Sequence, residues 1–151
     1  MFSIRADDPT APHVADLLAF HLADMRGTNP DFAFALDSAG LSAPNVSFWT
    51  AWNGAELAGF AALKQLEPHH GEVKSMRAAP AARRSGVGRA LLQHLIGVAK
   101  ARGYARLSLE TGTESRFAPA ISLYQSAGFA LCAAFADYQP SPHNQFFALN
   151  L

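Results

Sequence analysis

Apolar positions along the chain change their spacing several times, and each change predicts an element. Phe2 to Arg5 reads as a short opening strand. Thr10 stands where a helix cap is expected, with Pro12 in the first turn. Val14, Leu17, Leu18, His21 and Leu22 then fall on one helical face. Residues 27–45 carry Gly27, Pro30, Gly40 and Pro44 and read as a loop or broken helix. Val46 to Trp52 is aromatic and β-branched, hence a strand, with Trp49 and Trp52 in packing roles. Asn53-Gly54 is a two-residue hairpin signal, because both positions tolerate positive φ. Leu57 to Leu63 returns as the second strand, and Pro68-His69-His70-Gly71 reads as a turn. Glu72 to Ala78 makes the third strand of this meander, stopped by Pro80.

The second half alternates strand and helix. Gly86 to Arg102 is an amphipathic helix with Val87, Leu91, Leu95 and Val98 on one face and Gly103 as its stop. Ala105 to Glu110 is an alternating strand, and Ala118 to Ala127 a helix ended by Gly128. Phe129 to Phe135 and Gln145 to Leu149 close the chain as strands. The predicted order is β-α-β-β-β-α-β-α-β-β, with a right-handed parallel crossover over residues 72–110. The fold class is α/β with a mixed sheet and helices packed on it. No repeat, low-complexity tract or dividing linker interrupts residues 1–151, which read as one domain.

Composition narrows the class. Of 151 residues, 50% are hydrophobic and only 16% charged, which excludes disorder as the main state. Twelve basic residues balance twelve acidic ones, against a wholly basic nucleic-acid binder. Cys132 is the sole cysteine, so there is no disulfide scaffold and no zinc site needing two thiolates. It sits in an apolar strand and reads as core, and the usage fits a reducing cytosol. The N-terminal residues lack the basic-then-apolar pattern of a signal peptide. No stretch approaches the ~18 apolar residues of a membrane span. A soluble, cytoplasmic protein is the expectation.

Zero net charge hides an asymmetry. Residues 1–71 hold three basic side chains against eight acidic, residues 72–106 eight against one, and residues 107–151 one against three. The basic block is either a solvated helix face or a seat for a modest polyanion. Its centre is Arg83-Arg84-Ser85-Gly86-Val87-Gly88-Arg89-Ala90, between a strand and an amphipathic helix. First-turn N–H groups have no internal partner, and the helix dipole adds partial positive charge there. Glycines allow close approach and three arginines compensate charge, which together describe a phosphate or pyrophosphate cradle. A Walker A loop is absent. A dinucleotide fingerprint fails because Leu91 stands at the third glycine and Ser108 at the acidic position.

Arg83 to Gly88 resembles the Gln/Arg-x-x-Gly-x-Gly/Ala acyl-CoA loop of the GCN5-related N-acetyltransferase superfamily. The preceding strand Val73–Ala78 followed by Pro80 is similar to that family's entry to the loop. Ala120-Ile121-Ser122-Leu123-Tyr124-Gln125-Ser126-Ala127-Gly128-Phe129 resembles its Ala-x-x-Leu-Tyr-x-x-x-Gly-Phe signature, about 36 residues downstream. The resemblance covers residues 46–149; the first 45 match as a generic strand and helix. It implies acetyl-CoA as co-substrate, with Met76, Arg77 and Ala78 along the pantetheine arm. It further implies that Arg83, Arg84, Ser85, Gly86, Val87, Gly88, Arg89 and Ala90 hold the pyrophosphate. Tyr124 would be the general acid at the sulfur, and Glu72 the base, by its offset of 14 residues from Gly86. Phe117 stands where many members have an Asn seven residues before the Tyr. Members often dimerise, so a homodimer is the expectation that the resemblance carries.

A lysine-like amine, with a pKa near ~10.4, is protonated at neutral pH and needs a base to attack a thioester. Glu72 is either that base or a strand-end surface charge, and Tyr124 either the acid or a core aromatic with a wet tip. His69 and His70 point apart on extended chain and lack a third ligand, so no metal is expected; a share in proton relay or substrate binding stays open. His94 reads as structural. In residues 20–45, Asp24, Asp31 and Asp37 favour a cationic amine, while Arg26 offers a clamp for a carboxylate. Phe32, Phe34, Phe48, Phe117 and Phe135 are either pocket or core. The expected activity is N-acetyl transfer to a primary amine of a small or amino-acid-like molecule. Alternatives are a protein lysine or N-terminal amine as acceptor, or a CoA-binding sensor without turnover.

Overall fold

A computed structural model describes residues 2–27 and 34–151. Phe32 and Asp31 lie outside the described residues. The elements are β1 (Ser3–Ala6), α1 (Pro12–Arg26), α2 (Ser38–Leu41), β2 (Val46–Asn53), β3 (Glu56–Glu67), β4 (His70–Ala78), α3 (Val87–Ala101), β5 (Arg106–Gly112), α4 (Ala118–Ser126), β6 (Ala130–Cys132) and β7 (Asn144–Asn150). One seven-stranded mixed sheet runs β1-β2-β3-β4-β5-β7-β6. This is the predicted mixed α/β architecture, with the short α2 added inside the 27–45 stretch.

The sheet is covered on both faces. On one, Leu91, Leu92, Leu95, Ile96 and Ala99 of α3 pack with Tyr124 of α4 against Ala61, Leu63, Leu107 and Leu109. On the other, Val14, Leu17 and Leu18 of α1 and Leu41 of α2 pack against Phe48, Phe60 and Ala62. Strand side chains alternate between faces, so β3, an interior strand, is apolar on both. Each fully buried leucine here contributes about 1.5–3 kcal/mol. Val98, expected on the α3 face, is only half-buried; Leu92 and Ile96 take its share because the buried stripe is wider than one row.

Several local expectations need correction. Thr10 does not cap α1: its N–H and hydroxyl turn back to Asp8, and Ala11 precedes the helix with no side-chain cap. The hairpin turn is Gly54-Ala55, closed by the Asn53↔Glu56 pair, because glycine takes the positive-φ position (φ 61°). The next turn is only Pro68-His69, and β4 begins at His70. β6 stops at Cys132 rather than Phe135. Beyond it the chain leaves the sheet edge so that Phe135 and Tyr138 pack on Phe146. Cys132 is accordingly half-buried on a three-residue edge strand, not core.

Two irregularities of β4 open the sheet. It pairs with β5 in parallel for three residues only, His70↔Arg106, Gly71↔Leu107 and Glu72↔Ser108. Past Glu72 the strands have no pairing with each other, although β4 stays on β3 and β5 on β7. Within β4, Ser75 and Met76 stand opposite Ala61 alone between the Lys74↔Ala62 and Arg77↔Phe60 pairs. Ser75 has φ 52°, the signature of a bulge.

Candidate active site

The diverging strands form a wedge with a cavity of about 350 Å³. Val73 to Ala78 line one wall, and Leu109, Glu110 and Thr111 the other. Tyr124 and Ala120 of α4, Phe20, His21, Asp24 and Met25 of α1, and Phe34 contribute to the rest of the lining. The sequence-predicted Glu72, Met76, Arg77, Ala78, Arg83, Asp24 and Tyr124 all line this one cavity. Arg26 is exposed in the last turn of α1 and is not among the lining residues.

Glu72 is not a surface charge: it is 2% exposed. The Tyr138 hydroxyl donates to Glu72 Oε2 at 2.6 Å. Lys74 Nζ donates to Tyr138 Oη (2.5 Å) and to the Phe34 carbonyl (3.0 Å), and stands 3.5 Å from Glu72 Oε2. Burial, then the Glu72 charge, raises the Tyr138 phenol above its ordinary value. Glu72 and Lys74 are thus both bonded to Tyr138, and Lys74 also to the Phe34 carbonyl.

Glu110 lies two residues past the last β4–β5 pair, in the open end of the wedge. Burial, partly offset by Lys74 and reinforced by Glu72, pushes its carboxyl up to about 7. Tyr124 is buried with its ring beside Phe129. Burial, then the Glu110 charge, raises its phenol to about 12, and its hydroxyl donates to no described residue. A carboxyl raised to the neutral range and a phenol held protonated therefore line one cavity.

The loop before α3 leads off this cavity. Gly86, which precedes α3, has φ 91°, Arg84 has φ 64°, and a side chain at Gly86 would meet nothing within 4 Å. Ala90 is the first α3 amide in a turn bond, to Gly86 O at 3.0 Å. The amides of Val87, Gly88 and Arg89 belong to a first turn that has no side-chain cap and no acidic residue. The Val87 side chain is buried and anchors the helix, while Arg83, Arg84, Ser85 and Arg89 are exposed. Open space, unpaired N–H groups and cationic flanks fit a pyrophosphate. The β4 edge facing the wedge, including Met76 to Ala78, has no strand partner and fits an extended amide-bearing arm. Phe117 packs its ring against Gly112 Cα, where any side chain would collide with it.

Sequence reasoning passed over Glu110, Lys74, Tyr138, Arg116 and His21. Glu110 shares a face with Ser108, which is fully buried. Polar residues alternating with Leu107 and Leu109 were the available signal. His70 Nε2 lies 2.7 Å from the Ser108 hydroxyl, and His94 packs on Trp49. Among the described residues no group of three or more His, Cys, Asp or Glu could hold a metal, and no helix is long and apolar enough to cross a membrane.

The fold and the wedge are those of an acyltransferase, and the chain belongs to the acetyltransferase (GNAT) family, whose model matches residues 14–129. It is 47% identical over 152 residues to the uncharacterized N-acetyltransferase YedL of Escherichia coli (strain K12), covering 100% of this chain and 96% of YedL. It is 46% identical over 149 residues to the uncharacterized N-acetyltransferase YsnE of Bacillus subtilis (strain 168), covering 98% and 99%. A Bacillus subtilis acetyltransferase solved in complex with CoA has the same fold, with TM-score 0.75, 22% identity and coverage of 100% and 99%. The protein is an acetyl-CoA-dependent acyltransferase.

Proposed function

We propose that the protein transfers an acetyl group from acetyl-CoA to the primary amine of a small molecule, with Glu110 as base and Tyr124 as acid. The observation that carries this reading is the pairing of these two groups in one cavity of about 350 Å³. That volume suits a small acceptor better than an extended peptide. When bound, acetyl-CoA supplies the activated acyl carbon. Its pyrophosphate would lie against Arg84 to Ala90 and its arm along Met76 to Ala78. The amine nitrogen bonds to the acyl carbon as the carbon–sulfur bond breaks. Glu110 takes the amine proton, and Tyr124 donates a proton to the departing sulfur. Glu72, named as base from its offset in the chain, is already committed to Tyr138 and Lys74. Its role in this reading is to fix Lys74 and, through its charge, to raise Glu110. The test follows release of free CoA thiol across a panel of small amines and lysine peptides. Turnover of small amines that rises with a pKa near 7 supports the reading; turnover of peptides alone rejects it.

A further inference from the structure

Two guanidiniums from opposite lips of the wedge converge on one carboxylate. Arg77, on β4, donates from Nη2 to Asp24 Oδ2 at 2.9 Å. Arg116, on the turn between β5 and α4, donates from Nη1 to Asp24 Oδ1 at 3.3 Å and to the Asp24 carbonyl at 3.0 Å. Asp24 itself belongs to α1 and is 42% exposed. All three residues line the cavity.

Both guanidiniums are held in place independently of Asp24. Arg77 Nε donates to His21 Nδ1 at 2.8 Å. His21 is buried and stays neutral, since desolvation and then Arg77 hold it down at about 4. It therefore orients Arg77 without adding to the cluster's charge. The guanidinium of Arg77 also lies 5.6 Å from the Phe20 ring centre, and that of Arg116 lies 4.6 Å from the Phe117 ring centre. Rings of this kind support a flat cation and leave its in-plane N–H groups for a carboxylate. Glu114 Oε2 stands 3.8 Å from Arg116 Nε, an ion pair beyond hydrogen-bond distance. Each guanidinium has five N–H donors, and Asp24 and His21 engage fewer than half of the ten among the described residues.

We infer that Arg77 and Arg116 form a seat for a carboxylate of the acceptor, which Asp24 occupies when no acceptor is bound. The acceptor class is then a small amine that also carries a carboxylate, that is, an amino acid. The two lips offer a fork that a simple amine cannot use, and an amine without the acid leaves Asp24 in place. This inference rests on the small-amine reading above and adds the second anchoring group to it.

The experiment compares each α-amino acid in a panel with its own decarboxylated amine and its own carboxamide, at saturating acetyl-CoA. In the native protein kcat/KM should favour the acid by roughly 10–100-fold, the range for hydrogen bonds to charged groups. Arg116→Gln should collapse that ratio toward one, Arg116→Lys should restore some of it, and Asp24→Asn should increase it by lowering KM for the acid. A native ratio near one, or a ratio unchanged in Arg116→Gln, overturns the seat. A second measurement separates the seat from the transfer reading. Calorimetric titration of N-acetyl amino acids and N-acetyl amines into the protein with CoA needs no turnover. Preferential binding of the acid that Arg116→Gln removes supports the seat even if no amine is acetylated, whereas equal binding rejects it.

Discussion

Replacing Glu110 by Gln should make the protein less active and, as pH rises from 4.5 to 7, progressively more stable than the native one. The carboxyl rises from 4.5 to about 7 on folding. At about 1.36 kcal/mol per pKa unit, the ionised form costs the folded state about 3 kcal/mol at pH 8. The sign follows from proton binding. Between pH 4.5 and 7 the folded state holds a proton that the unfolded state has lost, so the native protein loses stability as pH rises through that window. Above 7 both states are ionised and the cost is constant. Glu110→Gln keeps the shape and removes the buried charge. For a chain of this length, about 2–4 °C per kcal/mol, its melting temperature should exceed the native one by roughly 6–12 °C at pH 8. At pH 4.5 Glu110 is protonated in the folded state and half-protonated in the unfolded one, and the two proteins should melt within about 1–2 °C of each other. Acetyl transfer at pH 8 should fall by roughly 10²-fold or more if Glu110 is the base. Melting curves and thiol-release rates at pH 4.5, 6, 7 and 8 read both effects. An equal melting difference at every pH would show that Glu110 is not held neutral by burial. Unchanged turnover with the expected stabilisation would leave a buried acid that is not the base.

Other perturbations test neighbouring regions of the site. Tyr124→Phe should lower kcat by roughly 10²-fold with little change in stability, because the hydroxyl bonds no described residue; a loss under about threefold would reject the acid role. Tyr138→Phe removes the hydroxyl between Glu72 and Lys74 and should destabilise by about 1–3 kcal/mol in urea titrations. The remaining 3.5 Å Lys74–Glu72 pair limits that loss. Gly86→Val forces a β-branched residue into φ 91° and should abolish the acetyl-CoA-dependent rise in melting temperature. In the native protein that rise is expected to be roughly 5–11 °C at about 100-fold excess over Kd.

The patterns that the chain shows by itself are local ones. The α3 stripe, the meander ending at Pro80 and the strand–loop–helix from Glu72 to Arg102 are periodicity and turn chemistry, carried by residues close in sequence. For the same reason Arg83 to Gly88 and the Tyr124 segment are legible as motifs: an anion cradle needs consecutive amides, and a helix signature needs neighbouring turns. Elements whose ends depend on distant packing are less legible. β6 is short because Phe135 and Tyr138 leave the edge to cover Phe146, and Thr10 does not cap α1 because its N–H and hydroxyl turn back to Asp8.

The chemistry of the wedge was decided only in three dimensions. Nothing near Glu72 in the sequence announces Tyr138, 66 residues away, or the burial that turns a strand-end carboxylate inward. Glu110 becomes a candidate base only because β4 and β5 diverge after Ser108, which leaves it in a desolvated gap with Tyr124. Asp24, which the sequence offered as an attraction for a cationic amine, is instead engaged by Arg77 and Arg116. The linear chain fixes which groups exist and which local shapes they take. Their ionisation and partners depend on dielectric and distance, which only the packed sheet sets.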